Sequence, residues 1–252
     1  MRLLEAETLE IIEFPENKIP AYAILSHTWG DEEVSFEDMQ SGRAGGKAGL
    51  AKIKQCSEKA AASGYGYIWV DTCCIDKRSS SELSEAINSM YRWYRNAEIC
   101  YAYLADVVAG GHSLASFRKS RWFTRGWTLQ ELLAPRMVEF YDSGWRPLGN
   151  KLSLGPLLSS VTGIDRNVIQ GEISIWNVSV AQRMSWASER QTTRIEDIAY
   201  CLMGLFDVNM PLLYGEGERA FLRLEEAIME VSDDQTLFAW ASEKISPTEP
   251  NN

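Results

Sequence analysis

Residues 125–135 read RGWTLQELLAP, and two of them could do chemistry together. Leu129, Leu132 and Leu133 stand at i, i+3 and i+4, the spacing of a buried helix face, and Pro135 ends the helix. Trp127 and Glu131 are four apart. That spacing puts an indole and a carboxylate side by side on one face, away from the leucines. An indole can stack on a planar ring while the carboxylate meets the group attached to it. Structural roles compete: an ion pair of Glu131 with Arg121 or Arg125, and core packing of Trp127.

Other chemistries have weaker support. His27 with Cys73 or Cys74 could form a nucleophile–base pair, but cysteines that follow an apolar strand more often serve packing. Two histidines and no C-x-x-C spacing argue against zinc. The sequence has no G-x-x-x-x-G-K phosphate loop and no G-x-S-x-G elbow. GEGER (Gly215 to Arg219) is too short for a phosphate loop and reads as a helix start.

These residues need elements to hold them. AYAILSHTWG (Ala21 to Gly30) begins as a strand and ends in a polar turn. GLAKIKQCSEKAAASG is a helix with Gly64 as its C′ residue. Tyr67 to Val70 form a strand buried on both faces, which stops at Asp71. SSSELSEAINSMYRWYRNAE is the clearest helix. Ser79 and Glu82 fit a capping box, and Leu83, Ala86, Ile87, Met90, Tyr91 and Tyr94 make its apolar stripe. ICYAYLADV is a third strand, and RMVEFYD a fourth. Strand–helix alternation of this kind predicts an α/β fold with a parallel sheet. After Gly144 the texture becomes helical (VAQRMSWASER, TRIEDIAYCLMGLF, GERAFLRLEEAIMEV), with Thr193 and Glu196 as a further capping box. The expected organisation is an α/β core over 1–144, a mostly helical lobe over 145–240 and a polar tail over 241–252 that reads as a linker.

In such a sheet, ligands bind beyond the carboxyl ends of the strands. Those ends carry Ser26 to Gly30, Asp71 to Lys77, and Asp106. Ser26, His27 and Trp29 could line a nucleotide site. Asp71 or Asp76 could hold ribose hydroxyls, with helix capping as the competing role for Asp76. Arg125, with its planar fork, suits a pyrophosphate. The charged run Arg183 to Asp197 reads as a polar network between the lobes, without chemistry.

The totals set limits. The 252 residues carry a formal net charge of −10. That disfavours nucleic acid as partner, although one local basic cluster could still bind a small anion. There is no signal-peptide pattern and no run of ~20 apolar residues to span a membrane. Five cysteines without small-scaffold spacing point to a reducing, cytoplasmic setting. Nine tryptophans suggest an aromatic-lined cavity.

YAILSHTWG, WVDTCCIDK, AINSMYRWYRNA, RWFTRGWTLQELLAP and RMSWASERQTTRIEDIAYCLMGLFDVNMPLLYGEGERAF resemble the sequence blocks of the fungal HET (heterokaryon incompatibility) domain. The resemblance runs from Tyr22 to about Phe221. It is closest to HET domains at the N-termini of fungal NOD-like receptors. It implies a cytoplasmic effector that triggers cell death on non-self recognition, activated by self-association that a downstream receptor region drives.

HET domains are in turn distantly similar to TIR domains, which are flavodoxin-like, and many of which cleave NAD⁺ at the nicotinamide–ribose bond. The TIR glutamate lies on a helix in a W-x-x-x-E pattern, which Trp127 and Glu131 match after the third strand. The resemblance thus implies a TIR/flavodoxin-like parallel sheet flanked by helices, with an additional mostly helical C-terminal lobe that TIR domains lack. NAD⁺ or a related nucleotide would be the substrate, with no separate cofactor or metal. Glu131 would be the catalytic carboxylate, and Ser26, His27, Trp29, Asp71, Arg125 and Trp127 would bind substrate. Burial beside the indole should raise the Glu131 pKa, yet the group must ionise to work. Two other readings stay open: a non-enzymatic adaptor that signals by homotypic contacts, and an enzyme that acts on another nucleotide or transfers ADP-ribose.

Overall fold

A computed structural model describes residues 1–108 and 113–239 of the chain. In chain order the elements of the first half are β1 (Arg2–Glu5), β2 (Ile11–Glu13), β3 (Ala23–His27), α1 (Phe36–Gln40), α2 (Gly49–Ala62), β4 (Tyr67–Trp69), α3 (Ser80–Asn96), β5 (Ile99–Tyr103), α4 (Ser113–Arg118), α5 (Thr128–Leu133) and β6 (Val138–Tyr141). β7 (Pro147–Asn150) follows, then helices α6 (Gly155–Thr162), α7 (Arg166–Gln170), α8 (Val180–Ser185), α9 (Asp197–Tyr200), α10 (Met203–Phe206) and α11 (Arg219–Val231).

The strands form one sheet in the order β2-β1-β4-β3-β5-β6-β7. The four central strands are parallel. Numbered among themselves they run 2-1-3-4, the order of a flavodoxin-type doubly wound sheet. β3 and β5 are buried along almost their whole lengths, as expected of strands covered on both faces.

The sheet differs from the expectation at both edges. β1 and β2 form an antiparallel pair beside β4, and β7 pairs antiparallel with β6. At three to four residues each, these strands are too short to show a period. The sheet therefore continues past Gly144, to Asn150. The tail expected over 241–252 lies outside the described residues.

Both capping boxes differ too. Ser79 caps α3 by accepting from the Glu82 N–H, but the Glu82 carboxylate turns away to Arg2 and the Asp76 N–H. Glu196 accepts from the Gly215 and Gly217 N–H groups, and α9 starts only at Asp197. The single helix expected after Thr193 is split into α9 and α10, which leaves Ile195 and Ile198 exposed while Ala199, Leu202, Met203 and Phe206 are buried.

Two close approaches lock the helical segment onto the sheet. A Cβ at Gly126 would lie 2.6 Å from Thr192 Cγ2 and 3.0 Å from Cys201 Sγ, so only glycine lets the two segments meet there. Gly204 of α10 lies against the Tyr91 ring of α3 in the same way. Among the described residues, no helix is long and apolar enough to cross a membrane.

Candidate active site

The carboxyl ends of β3 and β4, together with α3 and α5, enclose a cavity of about 320 Å³. α3 supplies an apolar wall of Leu83, Ile87 and Met90. Of the seven residues singled out from the sequence, His27, Trp29, Asp71, Arg125, Trp127 and Glu131 line this cavity. Ser26 stands directly behind, fully buried, and its hydroxyl donates to Glu131 Oε2.

Glu131 sits on α5 with its neighbours fixed from below. Trp122 Nε1 donates to Ser26 Oγ at 2.8 Å, so the hydroxyl proton is free to point at the carboxylate. The Tyr94 hydroxyl lies between Glu131 and the Leu25 carbonyl, 3.2 Å from the latter. Burial pushes the Glu131 pKa up to about 8, and the charge of Asp71 adds to that rise. The hydrogen bonds from Ser26 and Tyr94, and the charge of Arg125, pull it back only partly. In this setting Glu131 is mostly protonated at neutral pH.

Asp71 shows the opposite balance. Burial opposes its ionisation, but the His27 hydrogen bond, the Lys77 charge and the Trp29 hydrogen bond outweigh it and hold the carboxyl well below the usual range. His27 Nε2 is 3.0 Å and Trp29 Nε1 2.8 Å from the two Asp71 oxygens. On its other side, His27 Nδ1 is 2.6 Å from Lys52 Nζ. An ammonium only donates, so Nδ1 is the acceptor and the ring proton on Nε2 faces Asp71. Lys52 in turn pairs with Glu33 at 2.6 Å.

The structural alternatives for Glu131 fare differently. Arg121 turns to Asp106, its backbone N–H donating at 2.8 Å and its guanidinium 3.9 Å away as an ion pair, and takes no part in this cavity. Among the described residues, the Arg125 guanidinium has no hydrogen-bond or ion-pair partner, although it lines the cavity. Asp76 binds the side chain and backbone of Arg78, and Ser79 rather than Asp76 caps α3. Cys73 makes a poor nucleophile, since its hydrogen bond with Cys74 and its burial push the thiol well up.

The helical segment contributes more than the sequence suggested. Thr193, Arg194, Asp197 and Tyr214 complete the cavity wall. Asp197 accepts from the Tyr214 hydroxyl at 2.9 Å and from the Trp127 indole, and burial raises its pKa. Arg194 lies 4.4 Å over the Tyr214 ring. The loop before α5 is clamped from the same side. Gly126 donates to the Gln191 carbonyl, and the half-buried Arg190 donates to the Arg125 carbonyl and to Thr128 Oγ1. The run Arg183 to Asp197 is thus the polar network that was expected, but its end also forms a wall of the site. The sequence marked Tyr214 alone, beside the turn glycines Gly215 and Gly217, and nothing in it marked Arg194 or Asp197.

Residues 22–116 match the family model described as Heterokaryon incompatibility protein (HET). That segment holds Ser26, His27, Trp29 and Asp71 and stops short of α5. Over 242 residues the chain is 49% identical to Vegetative incompatibility protein HET-E-1 of Podospora anserina, across 90% of this chain and 18% of that protein. The chain thus spans less than a fifth of the length of this curated relative. No solved structure matches it.

Proposed function

Because the chain carries a domain of the heterokaryon incompatibility (HET) family, we propose that it is a cell-death effector of fungal non-self recognition that hydrolyses NAD⁺ at the nicotinamide–ribose bond. The observation that carries this reading is Glu131. It is a buried carboxyl at the end of a Trp122–Ser26 hydrogen-bond chain, facing a cavity with an apolar wall.

The chemistry suits these groups. Breaking the C–N bond sends its electron pair to the pyridinium, and nicotinamide leaves neutral without acid help. Positive charge develops on the ribose, where a carboxylate stabilises it. Water then adds to C1′ and releases a proton, which gives ADP-ribose. Trp127 stacks on a ring, the ionised Asp71 meets ribose hydroxyls, and Arg125 takes the pyrophosphate. A bound pyridinium brings a positive charge to Glu131 and favours its ionised form, so substrate binding itself arms the carboxylate. Self-association, imposed by a region of the full-length protein outside this chain, switches the reaction on. The test is NAD⁺ loss by clustered protein, with Glu131→Gln as control.

A further inference from the structure

A second cavity, of about 460 Å³, opens on the other side of the Ser26–Gly30 loop. It lies between the carboxyl ends of β3 and β5. From β3 the chain crosses to β4 on one side, and from β5 to β6 on the other. This is the switch point of the sheet, where doubly wound folds bind ligands. The proposed NAD⁺ site lies instead between β3, β4 and the helical segment, which leaves this crevice without a role.

Its walls are aromatic. Trp29, Tyr103 and Trp145 line it, and the last two rings stack at 5.1 Å with 28° between planes. Trp145 holds φ at +57°, a left-handed conformation that bulky residues rarely adopt. Such outliers persist where the surroundings impose them, notably at ligand clamps. Trp29 already takes a cation on its ring, since Lys77 Nζ lies 3.6 Å from the centroid.

The charges choose among flat ligands. Asp31, Glu32 and Glu33 line the cavity against Lys52 and Arg121. Lys52 and Glu33 neutralise each other, and Arg121 faces Asp106 at 3.9 Å, which leaves Asp31 and Glu32 as the surplus charge. A phosphate would face surplus carboxylate, whereas a positive ring would meet carboxylate and aromatic face together.

We propose that this second cavity binds a planar organic cation, and that it shares the Trp29 wall with the first. Lys52 reaches from it to His27 and through His27 to Asp71, so an occupant lies one hydrogen-bond chain from the first site.

The test is calorimetric titration of the full chain with 1-methylquinolinium. Asp31→Lys changes an exposed rim residue and leaves the core untouched. Tyr103→Ala removes half of the stacked wall. Each should weaken binding about fivefold or more, and the same losses should appear in a Glu131→Gln background, where binding of the probe in the first cavity is weakened. In wild type, the probe should also shift the His27 ring ¹⁵N signals. Absence of binding at millimolar probe, or binding indifferent to both Asp31→Lys and Tyr103→Ala, overturns the proposal. The readout is binding, so its outcome is independent of whether NAD⁺ is turned over.

Discussion

Ser26 and Glu131, 105 residues apart in sequence, are joined by a hydrogen bond from hydroxyl to carboxyl in the interior. The bond ties the end of the first parallel strand to the helix after the third. It also sets the electrostatics of the site, because it is the strongest influence lowering a pKa that burial has raised.

Ser26→Ala should move Glu131 further up. In the proposed reaction the carboxylate is the working form, so kcat/KM should rise with pH and level off above about 8 in wild type. In the variant that limb should shift to higher pH. The change also strands the Trp122 N–H in the interior, at a cost of about 1–3 kcal/mol. A pH–rate profile beside a denaturation curve separates the two effects.

Glu131→Gln should alter the pH dependence of stability. The folded state keeps the Glu131 proton up to about 8, against an ordinary value of 4.5, so between these values it binds more protons than the unfolded state. Stability from this group is therefore full below about 4.5 and is lost as pH rises towards 8. The glutamine variant lacks that loss. Its Tm should fall less than that of wild type between pH 5 and 8, as thermal melts at stepped pH would show.

Gly126→Ala should destabilise the chain by about 1–3 kcal/mol, because the new methyl meets Thr192 and Cys201 in packed surroundings. It should also displace Arg125 and Trp127, so KM should rise in any variant protein that stays folded. Urea denaturation and steady-state kinetics read the two consequences.

How much of this was legible depends on the kind of signal. The parallel strands and α3 could be read because long apolar periods dominate them, from Leu83 to Tyr94 above all. The edge strands β1, β2 and β7 could not, because three or four residues carry no period and their pairing is settled by distant partners. The gathering of His27, Trp29, Asp71 and Glu131 followed from one rule about strand ends. The wall formed by Arg194, Asp197 and Tyr214 did not, because no sequence rule says where a helical segment folds back. Glu196 illustrates the same limit. It matched a capping box by spacing, but two glycine N–H groups brought close by the fold claimed its carboxylate.

Asp197→Asn should weaken substrate binding more than it slows the chemical step. Asp197 holds Trp127 and Tyr214 but stands apart from Glu131's own partners. A rise in KM with little change in kcat is expected, and the opposite pattern would place Asp197 among the reacting groups.

The most direct measurement is NAD⁺ consumption, with product identification, by wild type and Glu131→Gln under enforced clustering. Loss of NAD⁺ with release of nicotinamide and ADP-ribose in wild type alone is the expected result. NAD⁺ left intact by both, with cell killing preserved in both, would contradict it, make Glu131 a structural residue and move the function to protein contacts.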